Sequence, residues 1–578
     1  MFALRDLWPF GRPSPPWLNH YPAGVPATLE YPDQPLGWLL EHGADRFPKR
    51  VACRYYAQQL TYEELLSRAR RFASVLAREG LQPGDRVGVL LPNLPDYLVA
   101  LFGTWMAGGV VVALSPLMVA PEVARFVKST DCRVVVTLDL LLPLVCGGEH
   151  RPNVVLVVSL SSRLSRVERL GYAWLRFRRI GFGRVACEGT RLRDFQESID
   201  AARECSGSAV VDTGGPAYIL PTGGTTGAPK AVVLSHRNQM SNAWQLSHWS
   251  HGIPGGETIL AVVPFFHSYG LSACVMNGVA LGATLVMHHR FRTASVVRLI
   301  EQHRPTAFFA VPAMLSALNS RMLRKKNHDF SSLKVCISGG APLPANIAEE
   351  FSGRTGCTVV EGYGLSEASP VTHAGPLDGT AVPGTIGLPL PDTVAEIVDA
   401  ATGTERLPCG EVGELVVRGP QVMLGYWNNQ AETDRVLREG WLYTGDLATC
   451  DERGFFRIVD RKKDLIITSG FNVYPADVEA VLRTYPGIRD VAVVGEPDEF
   501  AGEIVKAVVV LEPRKKLNRR DFDVFVRHNL SAQQRPKMVE TQTGDLPRNF
   551  LGKVLRRELR DTPASEPRRA GSGQPAGG

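Results

Sequence analysis

The feature that most limits how this chain can fold is a run of glycines and threonines between two apolar segments, within residues 219–236 (ILPTGGTTGAPKAVVLSH). Glycine permits a backbone with positive φ and a close approach to a ligand. Successive N–H groups in such a loop form a concave surface that binds phosphate oxygens, and threonine hydroxyls add donors. The pattern predicts a phosphate-binding loop, which comprises Thr222, Gly223, Gly224, Thr225, Thr226, Gly227 and the mobile cation Lys230.

Two other interpretations of this loop compete with that prediction. Glycine and threonine are common in ordinary hairpin turns, but so long a run followed by a lysine favours phosphate binding. A Walker A loop needs Gly-Lys-Ser/Thr at the start of a helix. Here Pro229 precedes Lys230, and residues 231–234 (AVVL) continue as an apolar strand. The sequence therefore predicts a phosphate loop between two strands and excludes a P-loop NTPase.

Length, charge and cysteine content limit the number of domains, the class of partner and the cellular compartment. At 578 residues, two or more domains are expected. A net charge of +6 is small for this length and gives no support for a nucleic-acid partner. The 10 cysteines include no CxxC pair, which argues against a zinc site or a disulfide framework and fits a reducing compartment. No apolar run reaches the about 20 residues that cross a bilayer, so we predict a cytoplasmic protein.

Secondary-structure signals alternate along the N-terminal part. Thr61 and Glu64 form a capping box that opens a helix, which Gly80 ends. Short β-branched runs at 87–91, 110–114, 134–137 and 154–158 alternate with helical segments, and this predicts an α/β fold with a mostly parallel sheet. Near the C-terminus we predict helices over 475–483 and 518–529, and strands over 491–494 and 505–511.

Residues 161–185 break this pattern. Arginines alternate there with bulky apolar side chains, and Glu168 is the only acid. A basic helix with bulky apolar residues can lie in a membrane interface, so the segment can place the protein on the inner face of the membrane. A solvated helix whose arginines hold local carboxylates is the equally weighted alternative.

Further motifs resemble those of one family. The segments TGGTTGAPK and LSH are similar to the signature of the adenylate-forming enzymes, the acyl-CoA synthetase and luciferase superfamily. The other family blocks follow in the family order: SGGAPL from Ser338, EGYGLSEASP from Glu361, YTGDLA from Tyr443, IVDRKKDLIITSGFNVYP from Ile458 and GKVLRREL from Gly552. The chain looks most like the bacterial long-chain fatty acyl-CoA synthetases.

The resemblance implies a fold and a domain order. We expect a large N-terminal domain of α/β subdomains with a distorted β-barrel, hinged to a small α+β C-terminal domain. The expected divisions are an arm over 1–35 that lies on the next domain, an AMP-binding domain over 36–459, a hinge over 460–463, a mobile domain over 464–560 and a disordered tail over 561–578.

The resemblance also implies a reaction. A fatty acid attacks the α-phosphate of ATP, pyrophosphate leaves, and coenzyme A captures the acyl-adenylate. The alternatives left open are an aryl or medium-chain carboxylate–CoA ligase, an acyl-carrier-protein ligase of the same superfamily, and a catalytically silent binding protein docked on membranes. The sequence leaves the chain length and the oligomeric state open, a homodimer included.

The resemblance also implies roles for individual residues, wherever this sequence matches a family motif. Lys553 matches the catalytic lysine of the mobile domain, and Glu367 matches the magnesium ligand, with Thr222 beside it. Ser366 is assigned to phosphate. The remaining assignments are to adenine and ribose (Gly339, Gly340, Ala341, Glu361, Gly362, Tyr363, Gly364, Asp446 and Arg461), to the hinge (Asp460 and Lys463) and to the coenzyme A side (Ser469, Gly470 and Phe471).

The acyl site is less well determined. His267 matches the family's residue at the acyl-adenylate junction, and Phe266 and His267 stand near the place where amino-acid-activating relatives have an Asp. The apolar residues downstream, from Leu271 to Ala280, suit either an alkyl-binding wall or an ordinary buried helix. Departures from the family pattern occur at Ala231, Asn549 and Phe550, and they put fine positioning in doubt but not the reaction class.

Overall fold

The strands that flank the phosphate loop belong to a mixed sheet near the middle of the chain. The computed structural model describes residues 14–161, 166–180, 187–222, 230–250, 252–324, 328–469, 471–498, 501–549 and 553–560. Strand Pro216–Thr222 runs antiparallel to strand Lys230–Ser235, and Thr222 faces Lys230 across the pair. The predicted strand after the loop is therefore confirmed. The loop residues between them, 223–229, lie outside the described part.

Among the described residues this sheet has eight strands. Their order is Gly425–Tyr426, Lys230–Ser235, Pro216–Thr222, Val110–Ala113, Arg86–Leu90, Cys132–Leu138, Val154–Val158 and Arg191–Asp194. The strands from Pro216–Thr222 to Arg191–Asp194 pair in parallel. This confirms the predicted parallel arrangement, and the cause is visible in the sequence, because runs of valine without polar alternation suit strands that are buried on both faces.

Helix Pro95–Met106 packs beside this sheet, and helix Tyr62–Arg78 packs against that helix. Helix Tyr62–Arg78 begins at Thr61, whose side chain accepts from the Glu64 N–H in a reciprocal capping box. It ends before Gly80, which takes φ +86°. Helix Pro95–Met106 is buried along its whole length and is followed by strand Val110–Ala113. Residues 95–113 therefore form a buried helix followed by a core strand.

A second sheet has nine strands within the described ranges. Their order is Leu388–Pro389, Val371–Ala374, Thr358–Gly364, Val335–Ser338, Ala307–Ala310, Thr258–Ala261, Thr284–Met287, Val51–Tyr55 and Gln58–Thr61. Strands Val335–Ser338 and Thr358–Gly364 are parallel, and Ser338 pairs with Glu361. The SGGAPL and EGYGLSE motifs therefore meet at the carboxyl ends of neighbouring strands, which is where α/β sheets bind ligands.

A third sheet is formed by strands between residues 394 and 461. Its described strands run in the order Val394–Val398, Gly413–Arg418, Trp441–Cys450 and Leu437–Arg438, and Phe456–Arg461 also pairs with Trp441–Cys450. The first two strands pair antiparallel over their length. The remaining described helices and helical turns of this part of the chain are Pro16–His20, Gly37–Arg46, Ala120–Ser129, Asp139–Leu141, Leu142–Cys146, Arg166–Ile180, Phe195–Asp200, His236–Trp249, Gly270–Met276, Asn277–Ala280, Thr293–His303, Pro312–Arg324, Ala345–Thr355, Ser366–Ala368 and Gln430–Val436.

The N-terminal arm is tied down where it is described. Trp17 is buried. The Leu29 N–H and the Tyr31 hydroxyl both donate to the Asp392 carboxylate at 2.8 Å. This confirms, for residues 14–35, that the arm lies on the domain that follows.

The chain divides into two compact units, of which the larger contains 1–444 and 448–458 and the smaller contains 445–447 and 459–578. The smaller unit has a sheet ordered Phe471–Val473, Ile466–Thr468, Gly502–Leu511 and Ile488–Asp498, with Met538–Gln542 parallel to Gly502–Leu511. Its described helices are Pro475–Leu482, Arg519–Asn529 and Arg556–Arg560. The predicted strands and helices are confirmed, although the first helix ends at Leu482, with Arg483 as its C-cap.

One pair of cysteines departs from expectation. Cys146 and Cys187 form a disulfide, with their Cα atoms 5.1 Å apart. The expectation of unpaired cysteines is therefore wrong for this pair. Their separation of 41 residues matches no short cysteine motif, so the sequence carries no local signal for the bond.

Candidate active site

Lys230 is held by a partner that the motif does not reveal. Its Nζ forms an ion pair with the Glu432 carboxylate and lies 5.2 Å from the centre of the Tyr426 ring. Glu432 also pairs with Arg435 through two nitrogens. Hydrogen bonds from Arg435, and then from Lys230, lower the pKa of Glu432 to about 2. The loop lysine thus belongs to a chain of alternating charges on the larger unit.

The same tyrosine ring connects Lys230 to the predicted metal ligand. The Tyr426 hydroxyl donates to Glu367 Oε1 at 2.8 Å. The Glu367 carbonyl accepts from the Met423 N–H at 2.8 Å, so the side chain and the backbone of Glu367 are both fixed. Ser366, in the same helical turn, has its Oγ 3.2 Å from Ser268 Oγ. Sequence reasoning missed Tyr426 and Glu432.

The environment of Glu367 fits a magnesium ion. Mg²⁺ binds through one or two carboxylates and completes its octahedron with phosphate oxygens and water. Glu367 supplies one half-buried carboxylate, and Thr222 supplies a hydroxyl at the end of the loop strand, where its Oγ1 lies 3.4 Å from the Lys230 carbonyl. Within the described ranges, His, Cys, Asp and Glu side chains form no group of three or more that could hold a metal by themselves.

The small residues after strand Val335–Ser338 allow a ligand to approach the backbone. Gly340 takes φ +80°, which disfavours other residues. A Cβ on Gly339 would lie 3.2 Å from the Tyr269 ring, and the Tyr269 hydroxyl donates to the Ile337 carbonyl at 2.8 Å. Gly339 is thus buried, whereas Gly340 is exposed and Ala341 is half-buried, at the end of the strand next to the EGYG strand.

Residues Glu361 to Gly364 lie on that strand, and Glu361 lines a cavity. Burial raises the pKa of Glu361 to about 7. The Tyr363 ring meets His373 edge-on at 5.9 Å, and a Cβ on Gly364 would lie 2.0 Å from the Pro370 carbonyl oxygen. The cavity measures about 380 Å³ and is lined by apolar side chains together with Glu361, Glu349, Ser352 and Thr385.

His267 is neutral at physiological pH because burial lowers its pKa to about 4. Its Nδ1 accepts from the Tyr269 N–H at 3.2 Å. The following π-helical turn, Gly270–Met276, is buried throughout, and Val279 is buried beyond it. These side chains form an apolar wall next to His267, and burial alone suits either interpretation of that wall.

In the smaller unit the predicted ribose ligands meet the catalytic lysine. Arg461 Nε lies 2.8 Å from Asp446 Oδ1, and Asp446 is buried. Burial, aided by the nearby charge of Arg461, lowers the pKa of Lys553 to about 8, and Asp446 opposes this shift. The Lys553 N–H donates to Asn549 Oδ1 at 2.9 Å, and the Asn549 N–H donates back to the Lys553 carbonyl at 2.8 Å. Asn549, a departure from the family pattern, therefore holds the backbone of Lys553 through two hydrogen bonds, and Phe550 lies outside the described residues.

The predicted hinge residues differ from each other in their surroundings. Asp460 is buried, and its Oδ2 accepts from the Ala476 N–H at 2.9 Å, whereas Lys463 is exposed. On the coenzyme A side, Ser469 takes φ +50° and donates its N–H to the Ala501 carbonyl at 2.7 Å. Gly470 lies outside the described residues. A cavity of about 210 Å³ is lined by Thr468, Ser469, Phe471, Val505, Ala532, Gln533 and Lys537.

The basic segment forms a helix, Arg166–Ile180, with two distinct faces. The Tyr172 hydroxyl donates to Asp139, and Arg176 Nε lies 3.6 Å from the same carboxylate. Leu170, Trp174 and Phe177 are 74%, 59% and 44% exposed. No helix in the described part of the chain is long and apolar enough to cross a membrane.

Comparisons with known proteins agree with this geometry. The profile of the family described as AMP-binding enzyme matches residues 40–427, and that of the AMP-binding enzyme C-terminal domain matches 477–553. The chain is 39% identical to a long-chain-fatty-acid–CoA ligase of Bacillus subtilis, over 94% of this chain and 97% of that protein. It is 34% identical to a feruloyl-CoA synthase of an Amycolatopsis species, over 91% and 99%. The crystal structure of ATP-bound MatB from Rhodopseudomonas palustris superposes with a TM-score of 0.77 at 29% identity, over 91% and 98%.

Proposed function

The chain belongs to the AMP-binding enzyme family, and on that premise we propose that it converts a fatty acid, ATP and coenzyme A into acyl-CoA, AMP and pyrophosphate. The observation that carries the proposal is the meeting of Lys553, Asp446 and Arg461 in one unit. A carboxylate suits a ribose diol because each of its oxygens can accept one hydrogen bond. A lysine beside that carboxylate is placed to act on the α-phosphate of the same nucleotide.

In the first step the substrate carboxylate attacks the α-phosphate, the bond to pyrophosphate breaks, and an acyl-adenylate forms. Attacking and attacked groups are both anionic, so the site must neutralise charge and hold the reactants in line. Lys230 and the loop N–H groups serve the β- and γ-phosphates, and Lys553 serves the α-phosphate. Glu367 and Thr222 would hold Mg²⁺, which would supply further positive charge at the phosphates.

The proposal also covers the identity of the acid substrate. Neutral His267 and the buried wall from Leu271 to Val279 suit an uncharged alkyl chain and offer no carboxylate for a substrate ammonium. The similarity to the Bacillus subtilis ligase supports a long-chain fatty acid. The similarity to the feruloyl-CoA synthase keeps an aryl acid as the second candidate.

In the second step the thiol of coenzyme A attacks the acyl carbonyl, and AMP leaves. One site can serve both steps if the smaller unit turns about Lys463, withdraws Lys553 and presents the segment from Ser469 to Phe471. The cavity beside Ser469 and Phe471, with Lys537 on its wall, is a place for part of the acceptor.

We further propose that helix Arg166–Ile180 docks on anionic membranes, from which a fatty acid would be taken. Leu170, Trp174 and Phe177 are spaced at one helical face, whereas Tyr172 and Arg176 lie on the opposite face and bind Asp139. The helix is thus anchored on one side and presents bulky apolar groups on the other. Arg178, stacked 5.0 Å from the Trp174 ring, adds the positive charge that anionic headgroups attract.

Release of AMP should be assayed with fatty, aryl and amino acids, and with coenzyme A or acyl carrier protein as acceptor. We expect release that depends on a fatty acid and on coenzyme A. Preference for an aryl acid or for carrier protein would contradict the substrate assignment and leave the adenylation chemistry standing. Absence of pyrophosphate exchange with every acid would contradict the enzyme assignment and support a catalytically silent binding protein.

A further inference from the structure

The ion pair between Lys230 and Glu432 is more enclosed than an ordinary surface pair. Their side chains are only 20% and 19% exposed. The lysine is the cation that the proposed function assigns to the outgoing phosphates. One ammonium therefore has two competing acceptors, the Glu432 carboxylate and the phosphate oxygens.

Glu432 is fixed rigidly opposite the loop strand. Strand Gly425–Tyr426 pairs with Lys230–Ser235, with Tyr426 facing Val232. Helix Gln430–Val436 follows, and Asn429 caps it by accepting from the Glu432 N–H at 3.1 Å. The Thr433 hydroxyl donates to the Asn429 carbonyl at 2.9 Å and accepts from the Tyr426 N–H at 2.9 Å. The backbone of Glu432 is thus fastened to the strand that begins at Lys230.

Release of Lys230 leaves Glu432 with a partner. Arg435 Nε lies 3.0 Å from Glu432 Oε2, and Arg435 Nη2 binds the oxygen that Lys230 also contacts. Leaving a buried charge without any partner is costly. Because Arg435 remains, Lys230 can move to another anion without that cost.

Resting on the proposed function, we propose that Glu432 is a positioning residue that holds Lys230 until the triphosphate binds, yields it to the β- and γ-phosphates, and takes it back as pyrophosphate leaves. The carboxylate then opposes ATP binding by the free energy of the ion pair and assists pyrophosphate release by the same amount. The Tyr426 ring, fixed through its hydroxyl to Glu367, provides the surface over which the ammonium moves.

The full-length Glu432→Gln variant tests this with three probes, MgATP, magnesium pyrophosphate and AMP. We expect the Kd of ATP and of pyrophosphate to fall roughly three- to tenfold, since an enclosed ion pair exceeds the few tenths of a kcal/mol of an exposed one. The Kd of AMP, which lacks the phosphates that Lys230 serves, should not change. Asp434→Asn is the matched control, because it removes the same charge from an exposed position of the same helix and should alter none of the three.

A double-mutant cycle separates the ion pair from any general effect of the glutamine substitution. In a Lys230→Met background, adding Glu432→Gln should leave ATP affinity unchanged. Unchanged or weaker ATP binding in Glu432→Gln alone, or an equal tightening in the Lys230→Met background, would overturn the proposal while the ligase function stands. Failure of the wild-type chain to bind ATP at all would overturn both.

Discussion

At the scale of single residues, Lys553 shows how the surroundings of a side chain change its pKa. Burial and the charge of Arg461 lower the pKa of its ammonium to about 8, close to the pH at which an enzyme works. Two hydrogen bonds with Asn549 hold its backbone. The ammonium form is the one that can stabilise negative charge on a phosphate, so the proposed role of Lys553 requires that this group be protonated in the first half-reaction.

The pH dependence of acyl-adenylate formation follows directly. A lysine whose pKa is lowered to about 8 is protonated below that pH and loses its charge above it, so the rate should fall as pH rises through about 8. Single-turnover formation of acyl-adenylate should be measured from pH 6.5 to 10. Lys553→Arg is the control: guanidinium stays charged over this range, so residual activity should lose the alkaline fall. An identical fall in that variant would assign the titration to another group.

Which site residues the sequence could predict depends on where their partners lie. Lys230, Glu367 and Asp446 sit in short motifs, so matching the motif was enough to propose them as site residues. Glu432 contacts Lys230 across 202 positions of the chain, and nothing local to either residue indicates the pair. The same holds for Tyr426 and Glu367, which are 59 positions apart. Sequence motifs predict which groups act on a ligand, but they do not reveal the side chains that hold those groups.

At the scale of elements, helix Arg166–Ile180 is the clearest case of two faces with different roles. Tyr172 and Arg176 fasten one face to Asp139, and Leu170, Trp174 and Phe177 leave the other face apolar and exposed. The pattern of arginines along the sequence cannot distinguish a solvated helix from a docked one. The exposed rings and leucine on a single face are what favour a lipid surface.

Replacing this apolar face should weaken membrane binding. We expect the wild-type chain to co-sediment with vesicles that contain anionic lipid and to be released by salt. The double variant Leu170→Ser, Trp174→Ser should reduce the bound fraction several-fold, because two exposed apolar anchors are lost. Val210→Ser removes an apolar side chain that is 98% exposed elsewhere and should have no effect. Absence of vesicle binding at every salt concentration, or equal binding by both variants, would contradict the assignment.

Local signals predicted the helices and strands named from the sequence, but not the π-helical turn or the disulfide. The capping box at Thr61 and the valine runs of the first sheet are contained within a few residues, so periodicity and caps sufficed. The π-helical turn Gly270–Met276 depends on packing around it, since it is buried on all sides. The Cys146–Cys187 bond depends on the fold bringing two distant segments together.

At the scale of the whole molecule, the division into two units bears on how one chain performs two steps. The smaller unit includes Asp446 as well as Arg461 and Lys553, so the proposed ribose ligands and the catalytic lysine belong together. The last boundary between the two units along the chain falls between residues 458 and 459. Asp460 accepts a hydrogen bond from the Ala476 N–H within the smaller unit. A hinge over 460–463 remains a prediction, with exposed Lys463 as the position best able to absorb a backbone rotation.

Restricting that position should separate the two half-reactions. Lys463→Pro fixes φ near −65° and removes a backbone donor, so it should spare acyl-adenylate formation and slow thioester formation by an order of magnitude or more. Lys463→Ala, which leaves the backbone unrestricted, should affect neither step strongly. The two steps are measured separately, by pyrophosphate exchange and by conversion of supplied acyl-adenylate. An equal loss in both would contradict rotation about this residue.

The most direct test of the account is single-turnover formation of acyl-adenylate by Lys553→Gln, with ATP and fatty acid but no coenzyme A. Loss of one preorganised charge at the reacting phosphate should slow this step by roughly a hundredfold or more. Conversion of supplied acyl-adenylate to acyl-CoA should continue at close to the wild-type rate. Acyl-adenylate formation at the wild-type rate would contradict the claim that this lysine assists attack at phosphorus.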